Sequence, residues 1–121
     1  MPLYFVYAPD APNRIENRLK VRAEHFAGFG ALIKSGNAVW GQGIVDTDAE
    51  THKGGAERAA DFDQVQHLNG SGLLYRFDTI EEAWERVKAD VYWTGDVWDK
   101  DKVVVREMIG IPADATLKIA Q

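Results

Sequence analysis

The chain has 121 residues, 45% of them apolar, a formal net charge of −5 and no cysteine. That is enough for one domain around one core, and it excludes a disulfide framework, a thiol nucleophile and a thiolate metal site. No long basic block points to nucleic acid or an anionic membrane as partner, no segment approaches the roughly 18 apolar residues of a membrane span, and the opening MPLYFVYAPD lacks the basic region and long apolar run of a signal peptide, so a cytoplasmic location is expected.

Leu3 to Ala8 is β-rich and apolar and stops at the turn signals Pro9, Asp10 and Pro12, which predicts a first strand. Asn13 stands three residues before Glu16, a partial capping box with Asn in the Ser/Thr role. Ile15, Leu19, Phe26, Phe29 and Ile33 then recur at helical steps as far as Ser35-Gly36, a C-terminal signal. Ala38 to Val45 reads as a second strand, in which Gly41 and Gly43 suggest a bulge or a close backbone approach. Asp46 to Asn69 is polar and weakly periodic, a long loop with at most a helical turn near Ala56 to Ala60. Loops of this length in small domains often act as lids or binding loops. The sequon Asn69-Gly70-Ser71 marks a turn rather than a glycan acceptor.

Gly72 to Phe77 predicts a third strand. Asp78 and Thr79 ahead of Glu81 and Glu82 announce a second helix, whose apolar stripe runs through Ile80, Ala83, Trp84, Val87 and Val91. Asp96 to Asp101 is turn-like, Lys102 to Met108 is a fourth strand, and residues 109–121 form a tail. The order predicts a single α+β domain over residues 1–121, a ferredoxin-like βαββαβ fold with a four-stranded antiparallel sheet and two helices on one face. The other face, carrying Tyr4, Val6, Trp40 or their neighbours, would be bare in a monomer. A homodimer with packed sheets is therefore expected.

Charge placement on the two helices points to a site. On a helical wheel with Ile15 at zero, Arg22 falls at about 340°, inside the apolar stripe, and Arg18 and His25 at about 300° and 280°, on its margin. Arg18, Arg22 and His25 thus form a cationic seam beside the buried face. On the second helix, with Ile80 at zero, Asp90 falls at about 280°, also on a margin. An acid in a last turn opposes its own helix dipole and calls for a compensating partner. In a split βαβ fold the two helices lie antiparallel on one face, so His25 or Arg22 is the best candidate. A carboxylate that orients an imidazole makes a general acid–base unit. The plainer reading of the arginines is that their stems cover apolar surface while their heads reach water.

These same residues carry a family resemblance. YFVYAPDAP, RLKVRAEHFAGF, WGQG and GSGLLYRFDTIEEAWERVKADVYWTGDVW match, in order and spacing from Tyr4 to Trp98, the pattern of YciI-like (YCII-related) proteins of the dimeric α+β barrel superfamily. Asp46 to Asn69 looks longer and more polar than the usual connection. The family's Arg-x-x-His falls on Arg22 and His25, and its Asp-Pro-aromatic on Asp90 and Tyr92, with Val91 where the family carries proline. The resemblance implies a buried His–Asp pair in a pocket, and a dimer. It implies no single reaction, since the wider group includes muconolactone isomerase-like, dehalogenase-like and EthD-like proteins and heme- or quinone-handling monooxygenases. Its common theme is small, apolar, oxygenated ring compounds, often with no obligatory metal.

Other constellations are weaker. Asp46, Asp48, Glu50, His52 and Glu57 have calcium-loop offsets, but Thr51 stands where such a loop needs glycine. His52 and His67 with Asp61 or Asp63 are too loosely spaced for a metal site. Gly41-Gln42-Gly43 lacks the third glycine and the helix of a dinucleotide fingerprint. The expectation is an enzyme that uses His25 and Asp90 for acid–base chemistry on a small apolar oxygenated molecule, by isomerisation, elimination, dehalogenation or ring opening or closure. Arg18 and Arg22 would bind a carboxylate or enolate oxygen, and Trp40, Tyr92 and Trp93 would supply walls. No metal, cofactor, nucleic acid or membrane is expected. The alternative is a non-catalytic dimeric module that binds a small ligand in the same pocket.

Overall fold

Alternation along the first strand sets the two faces of the sheet. In the computed structural model, which describes residues 1–45 and 68–110, Tyr4, Val6 and Ala8 are buried while Tyr7 is exposed. The elements are β1 (Leu3–Pro9), α1 (Ile15–Ser35), β2 (Ala38–Val45), β3 (Leu68–Arg76), α2 (Ile80–Ala89), α3 (Val91–Thr94) and β4 (Val104–Met108). The strands form one antiparallel sheet in the order β2-β3-β1-β4, the ferredoxin-like arrangement. Register places Tyr75, Leu73 and Ser71 of β3 opposite Tyr4, Val6 and Ala8, so these side chains share the face that the helices cover. Phe5 and Tyr7 pair with Arg106 and Val104 on the other face, where Tyr7 and Met108 remain 43% and 48% exposed. Among the described residues no helix is long and apolar enough to cross a membrane.

β3 begins at Leu68, earlier than the expected Gly72, so Asn69-Gly70-Ser71 is strand rather than turn. The bulges of β2 fall between Ala38 and Trp40 and between Ile44 and Val45, beside the two glycines rather than at them. Gly41 instead marks a close approach, since a Cβ there would come within 2.8 Å of both Leu73 Cδ2 and Phe29 Cζ. The first bulge inverts the alternation. Ala38 pairs with Tyr75 on the helix face, whereas Trp40 pairs with Leu74 on the open one.

Helix α1 has its C-cap where expected, with Gly36 in the left-handed conformation at φ 85°. The capping box at its start does not form. Asn13 is itself left-handed at φ 60°, and the N-cap is Arg14 with no side-chain bond. The inner face is also rotated from the expected stripe. The buried residues of α1 are Arg18, Arg22 and His25, with Val21, Phe29 and Leu32 packed against the core beside them, while Phe26 and Ile33 are 47% and 42% exposed.

Helix α2 is capped by Thr79, whose Oγ1 accepts from Glu82 N at 3.2 Å. It ends at Ala89, and Asp90 is both its C-cap and the N-cap of α3. Asp90 lies in extended backbone at φ −68°, ψ 141°, and its Oδ1 accepts from Tyr92 N at 2.8 Å. The acid therefore sits at the start of a helix, where the dipole favours it. Val91 holds the first helical position, which suits proline. Val91→Pro is expected to raise stability by about 0.5–1 kcal/mol by restricting the unfolded chain, read as an upward shift of the denaturation midpoint. A fall would show that the Val91 N–H or side chain is needed.

Candidate active site

Burial of three charged side chains on one helix face requires partners. For Arg18 the partner is Asp10, just past the end of β1. Arg18 Nε donates to Asp10 Oδ2 and Nη2 to Oδ1, each at 2.8 Å, a bidentate pair. Backbone bonds hold Asp10 in place, from its own N to Asn69 O at 2.7 Å and from Asp99 N to Pro9 O at 2.8 Å. Burial pushes the Asp10 carboxyl above its ordinary pKa, and the two Arg18 bonds oppose this. Nη2 also donates to Ser71 Oγ at 2.9 Å, which accepts a second bond from Trp98 Nε1 at 3.2 Å. Arg18 is thus committed within the protein rather than offered as a substrate ligand.

His25 meets Asp90. The Nδ1 to Oδ1 distance is 2.8 Å, and both side chains are buried. An ionised carboxylate only accepts, so it holds the proton on Nδ1 and leaves Nε2 as the free base of the ring. Arg86 Nη2 stands 3.8 Å from the other carboxylate oxygen. Behind the pair, burial and the Asp90 charge push the Tyr75 phenol upward.

Tyr92 lies between the two anchored groups. The Arg18 Cζ is 4.4 Å from its ring centroid, and the His25 ring stacks on it at 4.0 Å and 14°. Arg18 and His25 are two turns apart, about 10 Å along the helix, and the tyrosine ring fills that gap. Burial raises the Tyr92 phenol above its ordinary pKa although Arg18 and Arg22 pull it down, so the phenol is a neutral hydrogen-bonding group at pH 7.

A cavity of about 390 Å³ opens beside this stack. Phe26, Phe29 and Leu73 give it apolar walls, and the polar residues His25, Tyr92, Ser71 and Gln42 also line it. Gly41 and Gly43 border it from β2, where a Cβ on Gly43 would come within 2.8 Å of Leu68 Cδ2. An apolar space with a few convergent polar groups is the usual form of a small-molecule site.

Of the residues singled out from sequence, the structure brings His25, Asp90, Tyr92 and Arg18 together. Arg22 is buried beside them with its Cζ 5.5 Å from the Phe26 ring centroid. Trp40 does not reach the cavity, because the bulge before it turns it to the open sheet face. Trp93 points elsewhere, lining a groove with Trp84, Lys88 and Lys100, and the Lys100 Nζ lies 5.5 Å from its ring centroid. Successive helical residues are about 100° apart, so Tyr92 and Trp93 cannot share one wall. Asp10 and Ser71 were not foreseen. The signal for Asp10 was Arg18 itself, since an arginine at the margin of a buried face needs an acid in reach. The acidic stretch from Asp46 to Glu57 and the pair His52 and His67 lie outside the described residues. Among the described residues no group of three His, Cys, Asp or Glu is arranged to hold a metal.

No family model matches the chain. Among curated proteins it is similar to aspercryptin biosynthesis cluster protein B of Emericella nidulans, at 29% identity over 102 residues, which is 84% of this chain and 59% of that protein. The chain thus spans less than two thirds of that relative's length. Among solved structures it resembles 5-chloro-2-hydroxyhydroquinone dehydrochlorinase (TftG) of Burkholderia phenoliruptrix AC1100, in complex with 2,5-dihydroxybenzoquinone. The TM-score is 0.70 at 17% identity, over 92% of this chain and 97% of that chain. The two proteins share the α+β fold.

Proposed function

We propose that this chain is an acid–base enzyme for a small, apolar, oxygenated ring compound, with His25 as the group that moves the proton. The observation that carries this reading is the His25 Nδ1 to Asp90 contact of 2.8 Å at the wall of a largely apolar cavity. His25 Nε2 takes a proton from a carbon next to a carbonyl, or from a ring hydroxyl, and the electron pair left behind moves onto the substrate oxygen. Asp90 stabilises the imidazolium that forms. Returning the proton to another carbon completes an isomerisation. Collapse of the enolate with departure of halide or hydroxide, which carries off the bonding pair, completes an elimination. The dehydrochlorinase neighbour, solved in complex with 2,5-dihydroxybenzoquinone, supports a ring substrate bearing two or more oxygens, and the relative from a biosynthesis cluster supports small-molecule chemistry.

The test is a binding and turnover screen of hydroxylated quinones, hydroquinones and lactones on the wild-type chain, with thermal shift as the first readout. Rings that bind and react support the reading. A protein that binds none of them overturns it. Asp90→Asn is expected to keep the α3 cap while lowering turnover of any substrate found by about 10- to 100-fold, because the imidazole loses its orienting carboxylate. Unchanged turnover in this variant would show that the pair is structural only.

The same reading includes a homodimer built on the open sheet face, where Leu3, Phe5 and Tyr7 of β1 pair with Met108, Arg106 and Val104 of β4 and Tyr7 and Met108 are exposed. Sedimentation at twice 13.5 kDa is the expected result at micromolar concentration. A monomer would refute it.

A further inference from the structure

We propose that Ser71 is a specificity residue of this site, its hydroxyl donating a hydrogen bond to an oxygen of the bound ring; the proposal rests on the small-ring reading above. Ser71 is 3% exposed and borders the same cavity as His25. Register with Ala8 on one side and Gly43 on the other puts its side chain on the helix face of the sheet. Its Oγ accepts from Arg18 Nη2 at 2.9 Å and from Trp98 Nε1 at 3.2 Å. Guanidinium and indole nitrogens can only donate, so neither bond can run in the other direction. A hydroxyl has two lone pairs and one proton. Both lone pairs are in use, and no acceptor among the described residues takes the proton.

An ordinary serine hydroxyl rotates to donate or accept as its neighbours require. This one is locked as a donor, and its third direction is left to the cavity. The arginine cation pulls electron density from Oγ, which strengthens the O–H as a donor. The cavity therefore has two groups of opposite polarity, a base at His25 Nε2 and a fixed donor at Ser71. A ring with an acidic C–H or O–H on one side and a carbonyl or phenolate oxygen on the other satisfies both. When the base withdraws its proton, charge moves to the oxygen that Ser71 holds, so the contact strengthens as the reaction proceeds.

The experiment compares two rings of equal shape, 4-nitrophenolate and 4-nitrotoluene, titrated calorimetrically into the full chain at mildly alkaline pH. Wild type is expected to bind the phenolate about tenfold more tightly than the toluene, the scale of one hydrogen bond to a charged acceptor. Ser71→Cys keeps the size of the side chain and replaces a strong donor with a weak one. It is expected to lose that tenfold preference while binding 4-nitrotoluene as before. Ser71→Thr, which keeps the hydroxyl, retains the preference and guards against a Cys variant that fails to fold. Equal weakening of both rings in Ser71→Cys, or an unaltered preference, overturns the role of Ser71 and leaves the ring-substrate reading standing. Failure of wild type to bind either ring overturns the role of Ser71, whereas the ring-substrate reading falls only if the quinones, hydroquinones and lactones fail to bind as well.

Discussion

Replacing His25 with alanine is expected to lower turnover by about 10²- to 10⁴-fold, the span that a positioned acid–base group contributes. The loss should fall on kcat and leave KM nearly unchanged, because Nε2 acts on a proton in transit and adds little to ground-state binding. The fold should survive. Without the imidazole, Asp90 still accepts from Tyr92 N at 2.8 Å and still lies 3.8 Å from Arg86, so its carboxylate is not stranded. Tyr92 keeps the Arg18 cation on its ring. His25→Gln separates packing from chemistry, since the amide can donate to Asp90 but cannot serve as a base. Its melting temperature should stay near wild type and its turnover should fall as far as that of the alanine variant. Turnover within about twofold of wild type in either variant removes His25 from the mechanism. Ring binding kept in both, with no reaction found for wild type, makes the site a binding module.

The His25–Asp90 pair was legible in part, because Asp90 breaks a local rule. A carboxylate at the end of α2 needs a partner, and the short helix α3 that Asp90 caps packs against α1, which carries His25. The reason for Asp90's placement was only half legible. It reads as an acid at the wrong end of one helix, whereas it is the cap of the next, and a four-residue helix such as Val91–Thr94 leaves no periodicity to detect. The inner face of α1 departs from its hydrophobic stripe for a related reason. Hydrophobicity alone centres the inner face near Ile15, Leu19 and Phe26, but a buried bidentate pair and a buried His–Asp pair let charged residues occupy it instead. Trp40 does lie on the open sheet face, one of the two places expected for it, and is kept from the cavity because one bulged residue after Ala38 inverts alternation. Ser71 carries no signal at all in isolation, since a serine in a strand is ordinary until two donors converge on it.

Arg18→Ala is expected to destabilise the fold by about 3–5 kcal/mol, the usual result of removing one member of a buried ion pair. The Arg18 and Asp10 side chains are each only 4% exposed, so solvent does little to screen the charge left behind. Asp10 cannot move away to find water, because its backbone is bonded to Asn69 and forms a bridge to Trp98. For a chain of this size the melting temperature should fall on the order of 10–20 °C. The double variant Asp10→Leu with Arg18→Met removes both charges and keeps most of the volume. It should recover much of the loss, since a well-packed apolar pair often matches a buried ionic one. Recovery of stability without recovery of function is the informative outcome. Arg18 also covers one face of Tyr92, whose other face carries His25, and it fixes the polarity of Ser71. The double variant should therefore fold but turn over its substrate more slowly than wild type, with the preference of the cavity for oxygen-bearing rings reduced. If Arg18→Ala instead melts like wild type and only loses affinity for an anionic ring, Arg18 is a ligand for substrate after all, and Asp10 must carry its charge with the help of water alone.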